Sequence, residues 1–350
     1  MTNFDGAVTM ADVAKQTVNG MVPEMARLLE QTNAIGEFMR WMPTNKETYH
    51  VTVVETGIPQ PSLRRLNQGI SPTKGTAAQI EDGMAHIENR AIMDVDMPAG
   101  SAGNLAKIRL NHSRQHIEGF MQYFAYLLFY GNQALDERQF NGLASRYNAI
   151  TGNVADNVIN AGGTGTDNMS VWLVDHGEGG LTGINPPGDT AGLQHEDKGT
   201  EFVTTSVTAG SESTGFYAYV DRFVMKAGIT IPDWRRVVRI CNVDLSDLVG
   251  ATGTQASSAS TYLIDLMADA IERIPNAERR SSNLKFYCTR TAKTWIRRQS
   301  AVKAANTITF SAPAGTTEIP VLRAHGVPVH VCDQLLHTED DVPVSVSDFP

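Results

Sequence analysis

The stretch YHVTVVETGIPQPSLRRLNQGISPTKGTAAQIEDGMAHIENRAIMDVDM, Tyr49 to Met97, reads as two strand-like arms around a turn-rich, basic tip. In the return arm Ile87, Asn89, Ala91, Met93, Val95 and Met97 fall on one face and Glu88, Arg90, Ile92, Asp94 and Asp96 on the other. This is a period of two, with Asn89 and Ile92 out of place. In the outgoing arm Tyr49, Val51 and Val53 alternate with His50 and Thr52, and Val54 breaks the rule. Between the arms, Gly57 to Ala78 carries Pro59, Pro61, Gly69, Pro72 and Gly75, which excludes a regular helix or strand there. Arms of about 10 residues would reach roughly 35 Å. A lone two-stranded ribbon of that length is marginal in water, so the pattern predicts a partner chain to lie on.

Working outward, the tip differs in charge from the rest of the chain. The 350 residues carry a formal charge of -9, which argues against a general nucleic-acid binder with a basic face. From Thr56 to Ile80, however, Arg64, Arg65 and Lys74 stand without an acidic residue. These three are the candidate contact set: cations on a protruding loop, suited to a neighbour's carboxylates. A solvated basic loop is the plainer alternative.

Upstream, residues from about Met10 to Met42 are helix-prone, with breaks at Gly20 and Pro23, and read as an arm that lies on something else. Downstream, Leu105 to Tyr130 holds the i, i+3, i+4 rhythm on Ile108, Ile117, Phe120, Met121, Phe124, Leu127 and Leu128. It predicts a helix about 39 Å long. From Asp136 to about Leu248 glycine-rich loops alternate with strands at Ser170–Val174, Gly215–Ala227 and Arg236–Val243, and Ser246 to Ser260 reads as a mobile linker. An amphipathic helix follows over Thr261–Ile274. Then come a strand at Leu284–Cys288, a helix at Thr291–Val302, a hairpin from Thr307–Phe310 and Glu318–Leu322, and a last strand at Gly326–Val331.

No catalytic pattern emerges. Gly162 to Ser170 lacks the lysine and spacing of a phosphate loop and, with Asn168 in place of a third glycine, the dinucleotide pattern too. His112 and His116 share a helix face, but Ser113 stands where a zinc protease needs glutamate, so a polar helix face is expected. Glu178 and Asp189 are two of 38 carboxylates with nothing to single them out. The three cysteines, Cys241, Cys288 and Cys332, lack ligand spacing and are expected as buried apolar residues in a reducing compartment. No enzyme, cofactor or metal is expected. No apolar run approaches a membrane span, and the N-terminus has no signal-peptide pattern.

The order of elements, together with the phrases QGISPTKGTAAQIEDG, LLFYGN, FNGLASRYNA, AGGTGTDNMSVWLV, PPGDTAGLQHEDKG, DWRRVVRICNVD and LIDLMADAIERIP, resembles one branch of tailed-bacteriophage major capsid proteins. The closing stretches LKFYCTRTAKTWIRRQ, ITFSAPAGTTEIPVL and HGVPVHV extend the likeness to about Cys332. Asp175-His176-Gly177 departs from it, because an aromatic or small residue is expected beside that glycine. The resemblance implies the α+β, Hong Kong 97-type capsid fold. Residues 1–47 would be an N-terminal arm and 48–98 the extended E-loop that lies over an adjacent subunit. Residues 99–138 would form the P-domain with its spine helix. The A-domain would span 139–325, with 256–305 shared with the P-domain, and 326–350 would hold C-terminal strands returning to the P-domain.

The implied function is self-assembly into hexamers and pentamers of an icosahedral shell around packaged double-stranded DNA, within a virion assembled in the bacterial cytoplasm. An acidic subunit suits DNA that must slide over it, since phosphate binding needs clustered Lys and Arg. The arm begins within about the first ten residues, which leads us to expect a separately encoded scaffolding protein. A portal and a decoration protein are further expected partners, and no Lys–Asn crosslink is expected from Lys74. An encapsulin-like compartment shares the fold, but the phage-branch phrases count against it. An unrelated hydrolase is disfavoured by the missing nucleophile–base spacing.

Overall fold

In the computed structural model, the described residues are 31–97, 102–151, 155–206, 214–245, 248, 263–302, 308–311 and 321–342. Most of the expected N-terminal arm and linker lies outside them. A short helix, Ile35–Phe38, precedes strands β1 (Arg40–Pro43), β2 (Tyr49–Gly57) and β3 (Thr76–Asp94), then the long helix Ala102–Tyr130. Next come β4 (Val158–Asn160), β5 (Asn168–Asp175), β6 (Thr182–Asn185), β7 (Gln194–Ser206), β8 (Thr214–Thr230) and β9 (Val237–Asp244). Helix Leu263–Arg273, β10 (Leu284–Cys288), helix Arg290–Val302, β11 (Ile308–Ser311), β12 (Val321–Ala324) and β13 (Val327–Val331) complete the order. The chain divides into two compact units, and the division falls within β3 after Ala85, within the long helix after Phe124 and within β8 after Ala227.

The larger unit is built on a seven-stranded sheet ordered β11-β12-β13-β10-β5-β9-β4. β5 and β9 are buried at every position, as central strands, and their apolar residues are interrupted by the buried polar Ser170, Arg239 and Asn242. Helices Leu263–Arg273 and Arg290–Val302 cover the sheet, and Leu263, Ile264, Met267, Ala270, Trp295 and Ile296 pack with Val171, Leu173, Ile240 and Phe286. All three cysteines are free and buried in this unit, as small apolar residues.

A buried polar clasp fixes the last described strand-like segment to that sheet. Arg239 pairs with Glu339 at 2.8 Å, and both are 5% exposed. Arg239 also donates to Ser170 Oγ and to the Tyr147 carbonyl. Ser170 Oγ and Tyr130 OH both donate to the Glu339 carboxylate, and Leu336 N–H donates to Tyr130 OH. The group is therefore satisfied on all sides, the condition for a buried charge pair to persist.

One expectation changes in this unit. Arg40–Pro43, expected to continue the helix-prone arm, is strand β1, because it pairs in parallel with Thr182–Asn185. The late hairpin pairs Ile308–Ser311 with Val321–Ala324 in the register Ile308↔Ala324, and the expected start of its second arm lies outside the described residues.

In the smaller unit β7 runs antiparallel to β8, from Gln194↔Val224 to Ser206↔Thr214, and Val95 N–H donates to the Tyr217 carbonyl. Ile92 of β3 packs with Ala218 and Val220, while Met93 packs with Ile108 of the long helix. This explains why Ile92 broke the alternation: both faces of β3 are covered there.

Candidate assembly interface

The hairpin pairs nearer its tip than the stretch whose alternation marked the return arm. β2 pairs with the first part of β3, from Tyr49↔Gly83 to Gly57↔Thr76, with a bulge between Glu55 and Gly57. The alternating Ile87–Met97 stretch is not the partner of the outgoing arm. The partner is the more polar TAAQIEDG, Thr76 to Gly83. The ribbon is thus longer than expected on its return side, and the irregular tip is shorter, from residue 58 to 75.

The base of the ribbon is held firmly. Asp82 is buried and pairs with Arg146 at 2.8 Å. Arg146 also donates to the carbonyls of Asn141 and Ile229. On the other arm, Asn45 brackets Val51, donating to its carbonyl and accepting from its N–H. Gly228 lets β8 approach the hairpin base, since a Cβ there would stand 2.5 Å from the Gly83 carbonyl oxygen.

Beyond this anchor every residue from 58 to 81 is exposed. Thr73 Oγ1 donates to the Gln60 carbonyl and Thr56 Oγ1 to Thr76 Oγ1, which closes the legs of the tip. At the apex Gln68 N–H donates to the Arg65 carbonyl at 3.2 Å, closing a turn over Arg65–Gln68. Asn67 supplies the positive φ, 66°, that the third position of a type II turn requires. Arg64 and Arg65 sit at this turn and Lys74 at the return leg, so the three expected contact residues share one loop and all are exposed.

The apolar half of the surface was not legible in the sequence. Ile58, Leu63, Leu66 and Ile70 are 70%, 104%, 95% and 54% exposed. Val53 and Ile80 add two more aliphatic side chains on the ribbon itself. The signal for them was weak, because aliphatics scattered among Pro and Gly have no period to count. Aliphatic side chains at the centre with cations beside them form the composition of an interface core and its polar rim.

The other concentration of charge is structural. Asp175, wholly buried, pairs with Arg280 at 3.2 Å and Arg236 at 3.4 Å, and accepts from Gly177 N–H at 2.7 Å. These residues, with Glu178 and Asn283, line a cleft of about 340 Å³. Asp189 does not line it, so the Glu178–Asp189 pair does not assemble there. Next to it His176 shares a hydrogen bond with Tyr287 OH at 2.7 Å, which gives the departure at Asp175-His176-Gly177 a defined, packed role. Among the described residues no group of three or more His, Cys, Asp or Glu could hold a metal ion, and no helix is long and apolar enough to cross a membrane.

A family model described as "Major capsid protein GP7" matches residues 17–343. A chain of the cryo-EM structure of bacteriophage Epsilon15 superposes with a TM-score of 0.70 at 25% identity, covering 97% of this chain and 98% of that one. The bacteriophage JBD30 capsid gives 0.47 at 10% identity, over 93% and 99%. The SrpI encapsulin of Synechococcus elongatus gives 0.40 at 10%, over 68% and 97%. No curated protein matches the sequence.

Proposed function

The chain belongs to the major capsid protein GP7 family, and on that premise we propose that its β2–β3 hairpin is the clasp by which one subunit holds the next. The Hong Kong 97-type roles follow for its parts: residues 48–98 as the E-loop, Ala102–Tyr130 as the spine helix of the P-domain, and the seven-stranded sheet as the core of the A-domain. The observation that carries this reading is the unbroken exposure of residues 58–81 around four large aliphatic side chains. A ribbon that buries nothing of its own is unstable as an isolated element and gains its stability from the surface it covers. Burial of about 1,000 Å² or more would be typical of a specific contact.

Arg64, Arg65 and Lys74 then act at the rim, where charge fixes register and discriminates among surfaces more than it adds affinity. The occupant of the contact is a second copy of this chain, within hexamers and pentamers of a shell around double-stranded DNA. Scaffolding, portal and decoration proteins would be the heterologous partners, and assembly would take place in the host cytoplasm.

Electron microscopy of the purified protein tests the reading, since closed shells or capsomers are expected and a stable monomer would overturn it. Replacing Arg64 and Arg65 together with Glu is expected to leave a soluble subunit that does not assemble. Normal shells from that double variant would reduce the tip to a solvated loop.

A further inference from the structure

The larger unit sorts charge by sign onto the two helices that cover its sheet. In Leu263–Arg273 the buried Leu263, Ile264, Met267 and Ala270 pack on the sheet, and Asp265, Asp269 and Glu272 share the opposite, exposed face. In Arg290–Val302 Ala292, Trp295 and Ile296 pack inward. Arg290, Lys293 and Arg297 share the outer face, Lys293 half-buried and the other two exposed. Arg273, the base of the first helix, is turned aside to the carbonyls of Asp156 and Val158. The second helix holds no carboxylate at all.

This sorting works against both helices. Asp265 and Asp269 are like charges four residues apart, as are Lys293 and Arg297, and such pairs weaken a helix. Burial, then the charges of Arg297 and Arg290, hold the Lys293 ammonium below its ordinary value. Among the described residues neither Asp269 nor Glu272 takes a cation of its own chain as partner.

The two spacings answer one another. The carboxylates stand at i, i+4 and i+7 and the cations at i, i+3 and i+7, which read backwards is again i, i+4 and i+7. Laid antiparallel, the faces bring Asp265 to Arg297, Asp269 to Lys293 and Glu272 to Arg290, over about 10 Å. Arg290 also holds Asp333, and its side chain remains 65% exposed. Ala268 and Thr294, on the same faces, are small enough to let the helices approach. Both faces point away from the sheet that the helices share, so the match is made between copies.

Resting on the capsid reading, we infer that helix Leu263–Arg273 of one copy docks antiparallel on helix Arg290–Val302 of a second copy, a contact separate from the hairpin. The occupant is another copy of this chain because the chain supplies both halves of the charge match. The two faces differ, so the contact is head-to-tail and closes a ring, as hexamers and pentamers require.

The test uses full-length Asp269→Lys, full-length Lys293→Glu and an equal mixture of the two, followed by sedimentation and native mass spectrometry. Each variant alone sets like charges at the centre of the contact, and its assembly yield is expected to fall by about tenfold or more. Lys293→Gln removes the attraction without adding repulsion and should lose less. The mixture should regain assembly, because each reversed charge then meets its opposite on the next chain. Its rings must alternate, so they hold the two chains in equal number. A defect confined to one chain is not rescued by mixing. Normal assembly by either reversed variant, or a mixture no better than its parts, would overturn the contact while wild-type shells kept the capsid reading intact. Normal assembly of Lys293→Glu with weakened binding to double-stranded DNA would overturn it too, and assign the cations to phosphate. A wild-type subunit that stays monomeric is the separate failure of the capsid reading itself.

Discussion

Asp82 and Arg146 meet at 2.8 Å where the β2–β3 hairpin leaves the larger unit, the carboxylate 5% and the guanidinium 20% exposed. The pair sits on the last buried residue before the exposed ribbon. It joins a strand that is otherwise a poor self-supporting element to a side chain already anchored on two backbone carbonyls. If the hairpin is the proposed clasp, this pair is its root, because forces on the tip are transmitted through it.

Removing one partner of this pair leaves the other desolvated. Asp82→Ala is expected to destabilise the subunit by about 3 kcal/mol, and Asp82→Asn by less, because the amide still accepts from Arg146. Denaturant unfolding of the unassembled subunit measures both. Equal stability of Asp82→Ala and the wild type would mean that Arg146 is held by its carbonyl contacts alone.

The apolar apex separates assembly from folding. Leu63 and Leu66 are fully or nearly fully exposed, so Leu63→Asp and Leu66→Asp should change subunit stability by no more than about 0.5 kcal/mol. Shell yield, measured by sedimentation, should fall sharply for each and more for the pair. Full assembly by the double variant would exclude the apex from the contact.

The sequence revealed elements wherever burial imposed a period. Leu284–Cys288 was expected at its observed bounds, and the long helix was expected within three residues of its start. Both are packed elements whose apolar spacing records the surface they meet. β1 carried no such mark: Arg40–Pro43 is a strand only because Thr182–Asn185, distant in sequence, pairs with it. The hairpin register was obscured for the opposite reason. Thr76–Ile80 is exposed throughout, so no face is selected, and the alternation became visible only farther along, where Ala91, Ile92 and Met93 are buried. For the contact surface, the cations were legible as a local excess of charge. Leu63 and Leu66 required the structure, in which both stand exposed.

The Glu339 clasp predicts a graded series. Tyr130→Phe removes one hydrogen bond to the carboxylate and should cost about 1 kcal/mol. Glu339→Ala leaves Arg239 buried without its counter-charge and should cost about 3–5 kcal/mol. The double variant Arg239→Met with Glu339→Met should recover part of that loss, because both desolvation costs are then gone. Thermal unfolding of the three variants gives the order, and a double variant less stable than Glu339→Ala would contradict it.

Acid stability follows from the histidines packed around Phe38. Its ring lies 4.9 Å from that of His330 and 6.3 Å from that of His176, and Lys285 Nζ sits over it at 4.1 Å. Burial, then the charge of Lys285, holds His176 down at about 3 and His330 at about 4, against an unfolded value near 6.5. Between those values the unfolded chain binds protons that the native chain refuses, so stability falls as pH drops from about 6.5 toward 3. Above about 6.5 both states are neutral and this contribution is flat. Paired carboxylates such as Glu88, lowered to about 2 by its bonds to Arg222 and Arg90, act in the same direction but below an ordinary carboxylate value of 4.5. The interval from about pH 6.5 to about 5.5, a full unit above that value, therefore isolates the histidines. His176→Gln is expected to flatten the dependence of unfolding free energy on pH in that interval while retaining a partner for Tyr287 OH. An unchanged slope in the variant would assign the acid sensitivity to other groups and leave His176 a packing residue only.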